Sequence, residues 1–213
     1  MTKLDQHSFQ PARRATGRLD VICGSMFSGK TEELMHRLRR AELAKKNVLT
    51  LKHVFDTRTH HQCLLSHDGQ ERAAQAIDNT PAGMQRISTL VTPLVDVVGI
   101  DEVQFFPSDI VKILLSLVEQ GVHVIAAGLD LDFRGEPFGF MPHLMAYADE
   151  VVKLRAVCAQ CGSNSHYSQR IINGEPAKYD DPVILVGAAE SYEARCRSCF
   201  SINSQIRARH TKQ

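Results

Sequence analysis

Residues 24–31, Gly24-Ser25-Met26-Phe27-Ser28-Gly29-Lys30-Thr31, match G-x-x-x-x-G-K-[ST] at every fixed position. The chemistry explains the spacing. Glycines let the backbone curl so that successive N–H groups converge on phosphate oxygens, and the start of a helix closes the nest. Lys30 then brings a mobile charge to the β- and γ-phosphates, and the Thr31 hydroxyl offers Mg²⁺ a ligand. All eight residues are candidates for holding ATP. A glycine-rich turn before an amphipathic helix would meet the pattern by chance, so the flanking elements have to decide.

A second constellation ends the apolar run Val95–Ile100: Asp101-Glu102-Val103-Gln104. An acid closing a buried strand downstream of such a loop is the expected partner of its Mg²⁺, directly or through water, which pairs Asp101 with Thr31. On a strand, Glu102 points away from its neighbour and is free for another role, that of a base for an attacking group. Val103 and Gln104 join Asp101 and Glu102 as candidate nucleotide-binding residues. The same acid pair serves ATP hydrolases, where the glutamate activates water. Spacing does not separate transfer to an alcohol from transfer to water.

The third constellation is two CxxC pairs, Cys158/Cys161 and Cys196/Cys199. Four thiolates suit tetrahedral Zn²⁺ with no open position, and paired CxxC units in a cytosolic chain bind metal more often than they form disulfides. Zinc would clamp the ends of residues 162–195, a segment with little apolar content of its own. Cys23 and Cys63 stand apart, and His60, His61 and His67 fit no ligand pattern and read as loop residues.

The elements that must position these groups are legible from periodicity. Leu19–Cys23 reads as a strand into the glycine loop, and Leu34, Met35, Leu38 and Ala41 as the apolar stripe of the helix leaving it. Asn47–His53 is a second strand, Val54–Gly69 a polar stretch, Ala73–Ile77 a short strand and Pro81–Leu90 a short helix. Val95–Ile100 and Val122–Ala127 read as strands covered on both faces, with an amphipathic helix through Ile110, Ile113, Leu114, Leu117 and Val118 between them. A helix near Pro142–Ala148 and a strand over Val151–Val157 follow, and beyond Cys158 His166–Ile172 and Val183–Val186 are strand-like. This alternation predicts an α/β fold, a parallel P-loop sheet with helices on both faces, followed by a small zinc-ribbon domain. Ligands of such sheets sit beyond the carboxyl ends of the strands. The domain expectation is a tail at 1–18, a nucleotide-binding α/β domain at 19–157, a zinc-binding domain at 158–200 and a tail at 201–213.

Composition narrows the function classes. A formal net charge of +1 over 213 residues gives no basic surplus for capturing nucleic acid. No apolar run reaches the roughly 20 residues of a membrane helix, and the first residues lack the apolar core of a secretory signal. A cytoplasmic chain without membrane or nucleic-acid partners is expected. Two classes stay open: a small-molecule kinase, and a P-loop ATPase whose zinc ribbon touches nucleic acid. The second calls for a basic surface bearing aromatics, and only Phe200 lies near the ribbon. The long segment between the cysteine pairs reads as a lid that excludes water, which a kinase needs.

Taken in order, GSMFSGKT (24–31), DTR (56–58), DEVQFF (101–106), GLDLDFRGEPFG (128–139), VVKLRAVC (151–158) and the paired CxxC motifs resemble the zinc-containing class of thymidine kinases, bacterial and animal cytosolic. The resemblance runs from about Leu19 to Cys199. It implies transfer of the ATP γ-phosphoryl group to the 5′-hydroxyl of thymidine or deoxyuridine, giving dTMP and ADP in nucleotide salvage for DNA synthesis. It also implies a RecA-like core, a zinc-held domain carrying a lasso over the nucleoside, a homotetramer, and inhibition by thymidine triphosphate. By resemblance Glu102 is the general base, and Lys30, Thr31 and Asp101 take the phosphate and Mg²⁺ positions. Met26, Phe105, Leu129 and Phe133 line the nucleoside pocket, and Asp56 and Arg58 lie on its acceptor side. By residue type alone, Phe105, Leu129 and Phe133 also read as core. Val183, Leu185 and Gly187 match lasso positions whose backbone meets the base edge, and Tyr192 a contact to the sugar. Ser168 stands where the family often has threonine, keeping a hydroxyl and losing a methyl.

Overall fold

The computed structural model describes residues 16–56, 63–65, 69–184 and 190–202. Arg58, His60, His61, His67, Leu185 and Gly187 lie outside the described residues. The chain opens with β1 (Arg18–Cys23), the glycine loop and α1 (Lys30–Leu43). Next come β2 (Val48–His53), β3 (Cys63–Leu65), β4 (Glu71–Ala73), β5 (Gln75–Ile77) and α2 (Pro81–Leu90). Then follow β6 (Val97–Asp101), a 3₁₀ turn at Val103–Phe105, α3 (Asp109–Glu119), β7 (His123–Gly128), α4 (Met141–Tyr147) and β8 (Glu150–Lys153). The C-terminal part holds β9 (Ala156–Val157), β10 (Asn164–Ser165), β11 (Tyr167–Ile172), β12 (Glu175–Pro176) and β13 (Glu190–Arg195).

Six strands form a sheet in the order β5-β2-β6-β7-β1-β8, every neighbouring pair parallel. Period-two alternation sorts its side chains. Leu19, Val21, Val98, Ile100, Val124 and Ala126 pack on α2, α3 and α4 through Met84, Ile87, Ile110, Leu114, Leu117, Met141 and Leu144. Ile22, Val97, Ile125 and Ala127 face the other way onto Leu34, Met35 and Leu38 of α1. Gly99 in β6 permits this approach, since a Cβ there would stand 2.5 Å from Leu38 Cδ1. Thr80 caps α2, its hydroxyl accepting from the Gly83 amide at 3.0 Å, with Pro81 in the first turn.

Several expectations need correction. The stretch predicted as one strand over Val151–Val157 divides. β8 ends at Lys153 in the parallel sheet, while β9 pairs antiparallel with β10. Residue pattern does not register a change of sheet within one strand-like run. The polar stretch contains β3, which forms a hairpin with β4 and buries Leu64 against the α1 side. The strand forecast over Ala73–Ile77 is β5 from Gln75, after Ala73 has closed the hairpin. Val183 and Ile184 bend rather than extend. A six-residue strand that periodicity did not flag, β13, pairs with β11 along its whole length.

Candidate active site

The glycine loop leaves β1 with left-handed backbone at Gly24 (φ 146°), Phe27 (φ 64°) and Gly29 (φ 81°). Gly24 has a second constraint, because a Cβ would meet the Leu154 carbonyl oxygen at 2.5 Å. The cradle fits a polyphosphate. The Ser25 and Ser28 hydroxyls are buried and bond nothing among the described residues, which suits loop groups meant for a ligand's oxygens. Lys30 Nζ donates back to the Ser25 carbonyl at 2.8 Å, a bond the ammonium can exchange for phosphate. The Thr31 hydroxyl donates to Asp101 Oδ2 at 2.9 Å, so the two residues expected to flank Mg²⁺ already touch.

Asp101 is 1% exposed and uses both oxygens: Oδ1 accepts the Glu102 amide at 2.9 Å. Glu102 therefore does not continue the strand, contrary to the alternation argument. It turns off β6 in the left-handed region (φ 54°, ψ 39°) and opens the 3₁₀ turn. That conformation costs a non-glycine residue about 1–2 kcal/mol, and the buried Asp101 carboxylate helps hold it. Glu102 is half-buried, and Gln104 Nε2 donates to its Oε2 at 2.6 Å. Val103, grouped with the nucleotide-binding residues from sequence, is 1% exposed and packs in the apolar core.

Around this rim, His53 at the end of β2 contacts Phe55, Phe105 and Phe106, with ring centroids 4.6, 5.6 and 4.7 Å away. Phe105 also meets Phe138 edge-on at 5.6 Å. His53 Nδ1 accepts from the Phe55 amide at 3.1 Å, which leaves the proton on Nε2, 2.9 Å from Asn79 Oδ1. Burial lowers its pKa, against the raising effects of the Asn79 bond, Glu102 and Asp78. Asp56 sits at the same end, buried, where the fully buried Lys52 reaches its carbonyl at 3.2 Å and its carboxylate at 3.6 Å.

Three residues of the C-terminal sheet close the rim. Ser168 Oγ accepts the Met26 amide of the glycine loop at 2.9 Å. Arg170, 1% exposed, stacks 4.1 Å above the Phe133 ring. Its fork donates to the Pro182 carbonyl at 2.6 Å, the Val183 carbonyl at 2.7 Å and the Tyr192 hydroxyl at 2.7 Å. Met26, Phe133, Ser168, Val183 and Tyr192, far apart in the chain, thus share one neighbourhood with the loop. Leu129 joins from β7, its amide donating to Gln104 Oε1 at 3.0 Å. Sequence reasoning missed Lys52, His53 and Arg170. A lysine inside the apolar run of β2 was a usable signal for the first; the arginine looked like any charged residue of an alternating strand.

The four cysteines Cys158, Cys161, Cys196 and Cys199 bring their sulfurs within 4.8 Å of one another, and none forms a disulfide. Tetrahedral Zn–S bonds of about 2.3 Å place sulfurs about 3.8 Å apart; Cys161 and Cys196 are at 3.6 Å. Burial pushes the Cys158 thiol up, but the Cys196, Cys161 and Gln160 amides aimed at it prevail and bring it to about 6. Amides that favour a thiolate fit a metal ligand. The first pair lies in the turn between β9 and β10 and the second follows β13, so a zinc ion there ties the hairpin to the end of the three-stranded sheet β12-β11-β13.

A parallel sheet whose first strand runs through a glycine nest into a helix, with a strand-end carboxylate on the loop threonine, defines a P-loop nucleotide-binding protein. The family model described as thymidine kinase matches residues 17–200, which span both the sheet and the cysteine cluster. The chain belongs to the thymidine kinase family and is a nucleoside kinase. No helix among the described residues is long and apolar enough to cross a membrane.

Proposed function

We propose that this protein transfers the γ-phosphoryl group of ATP to the 5′-hydroxyl of thymidine, and of deoxyuridine, giving the nucleoside monophosphate and ADP. The observation that carries the reading is the meeting of two parts on one rim. Met26 of the phosphate loop is bonded to Ser168 of the zinc-bearing part, and Thr31 of the same loop is bonded to Asp101 at the end of β6, next to the Glu102 carboxylate. A donor loop and an acceptor lid in contact suit transfer between two bound substrates, with water kept out.

The residues divide the work. Glycine-loop amides from Gly24 to Thr31 and the Lys30 ammonium would hold the phosphates. Thr31 and Asp101 would hold Mg²⁺, which supplies charge neutralisation to the transferring group. Glu102 accepts the proton of the attacking hydroxyl. Met26, Phe105, Leu129, Phe133 and Tyr192 would enclose the nucleoside; by resemblance to the family, Asp56 and Arg58 would serve its acceptor side and Val183, Leu185 and Gly187 its base edge. Ser168 spends its hydroxyl on the loop and, as a serine, adds no methyl to the pocket. Structural zinc holds the segment from β9 to about residue 200 as a unit beside the α/β domain that ends with β8. By resemblance to the family, the expected form is a cytoplasmic homotetramer inhibited by thymidine triphosphate.

The test is direct. Purified protein with ATP, Mg²⁺ and thymidine is expected to form thymidine monophosphate and ADP in equal amounts, with little ADP when thymidine is left out. ATP hydrolysis at the same rate with and without thymidine, and no monophosphate, overturns the reading. A panel of deoxynucleosides then ranks the acceptors.

A further inference from the structure

We propose that Gln104 is the positioning residue of the reaction: its side-chain amide sets the direction of the Glu102 carboxylate and ties it to the start of the nucleoside-pocket wall. The inference rests on the reading of Glu102 as base given above. Gln104 is 2% exposed, its Nε2 donates to Glu102 Oε2 at 2.6 Å, and its Oε1 accepts the Leu129 amide at 3.0 Å. A backbone N–H can only donate, so the oxygen of the amide must face Leu129 and the NH₂ must face Glu102. The orientation is dictated by the network.

Packing leaves the amide no other place. A Cβ at Gly128 would lie 2.5 Å from Gln104 Oε1, and one at Gly139 would lie 2.3 Å from the Gln104 carbonyl oxygen. The two glycines let β7 and the following loop close over Gln104, one on its side chain and one on its backbone. Val103 and Phe106, 1% and 2% exposed, anchor the 3₁₀ turn on either side. A carboxylate on a left-handed turn outside the strand has three side-chain torsions to settle. The Gln104 donor is a fixed point for it, and rate depends on the base being aimed where the hydroxyl will lie. Gln104, grouped with the nucleotide-binding residues from sequence, is given this role by the bond of its side chain to the carboxylate.

The experiment is a double-mutant cycle on the full chain with thymidine and ATP, read as kcat and both KM values. Gln104→Met is expected to lower kcat roughly 10- to 100-fold, the range for losing one hydrogen bond to a charged group, with both KM values within about threefold. In the Glu102→Gln background the same substitution is expected to change the residual rate less than about twofold, because no carboxylate remains to be aimed. Equal losses in both backgrounds, or no loss in the native one, overturn the proposal. Gln104→Leu also removes the donor, and covers the case in which the methionine variant misfolds. It too is expected to lose turnover, and native turnover in it also overturns the proposal. Native turnover in Glu102→Gln alone overturns the base assignment, and this proposal with it, in a separate arm.

Discussion

The hydroxyl of Ser168 accepts the amide proton of Met26 at 2.9 Å, joining two residues 142 positions apart. One belongs to the phosphate loop and the other to a strand of the C-terminal sheet. A P-loop amide thus depends on the zinc-bearing part for its partner. Two residues along, on the same side of β11, Arg170 holds the Pro182 and Val183 carbonyls. One strand therefore touches the donor loop and the entry to the lasso.

Ser168→Ala leaves the Met26 amide without its acceptor, which costs about 1–3 kcal/mol where water does not replace it. The expected result is a rise of the KM for ATP and for thymidine together, while Ser168→Thr stays near the native values. Steady-state kinetics of the three proteins decides, and an alanine variant with native KM values shows that the bond carries no weight.

Glu102→Gln keeps the shape of the side chain and removes its basicity. Turnover is expected to fall about 10²- to 10⁴-fold, the usual contribution of a general base. Binding of a non-hydrolysable ATP analogue, followed by calorimetry, is expected to hold. Loss of binding along with turnover would mean that Glu102 serves the nucleotide instead.

Arg170→Met takes a buried guanidinium away from two carbonyls, a tyrosine hydroxyl and the face of Phe133. The lasso entry then loses its anchor, and thymidine KM is expected to rise at least about tenfold, in line with hydrogen bonds to a charged group. The KM for ATP and the zinc content are expected to stay. Arg170→Lys recovers little, because an ammonium lacks the planar fork that serves three acceptors at once. A lysine variant with native thymidine KM contradicts this.

Zinc removal separates the two parts. Metal analysis is expected to find one zinc per chain. Chelation under mild denaturant is expected to abolish thymidine-dependent turnover, since a structural zinc site contributes folding energy outright. ATP-analogue binding by the parallel sheet is expected to survive in weakened form, since the Met26 amide loses its bond to Ser168. Active protein with far less than one zinc per chain would refute the structural role.

His53 gives a pH signature. Burial lowers its pKa from 6.5, so the folded chain keeps it neutral where the unfolded chain protonates it. The unfolded state then binds more protons, and stability falls as pH drops through 6.5 towards the folded value, with the full contribution present above 6.5. Protonation would also set a ring N–H against the Phe55 amide. Urea unfolding of the native protein at pH 7.5 and 5.5 is expected to show a larger loss than in a His53→Gln variant, and equal losses would contradict the assignment.

The parallel sheet was legible because its central strands are covered on both faces and its helices carry apolar stripes at 3.6-residue spacing. The helix expected at Pro81–Leu90 has those bounds, and its start is held by the Thr80 cap and Pro81. Legibility ended where contacts became non-local. β13 was missed because residues 190–195, Glu-Ser-Tyr-Glu-Ala-Arg, are polar and extend only through pairing with β11. The division of Val151–Val157 was missed because one strand-like run serves two sheets. Glu102 was expected on a strand because its left-handed turn depends on the two-oxygen use of Asp101.

By itself, then, the sequence determined the chemistry available here: a phosphate nest, a carboxylate pair and four thiolates. Their types and short spacings are local facts, and local physics suffices to read them. Tertiary structure alone decided which groups meet. Ser168 reaches Met26, Arg170 stacks on Phe133, and Gln104 spans Glu102 and Leu129 only because sheet order, strand register and two close-packed glycines bring distant backbone within hydrogen-bond range. No spacing along the chain encodes those distances.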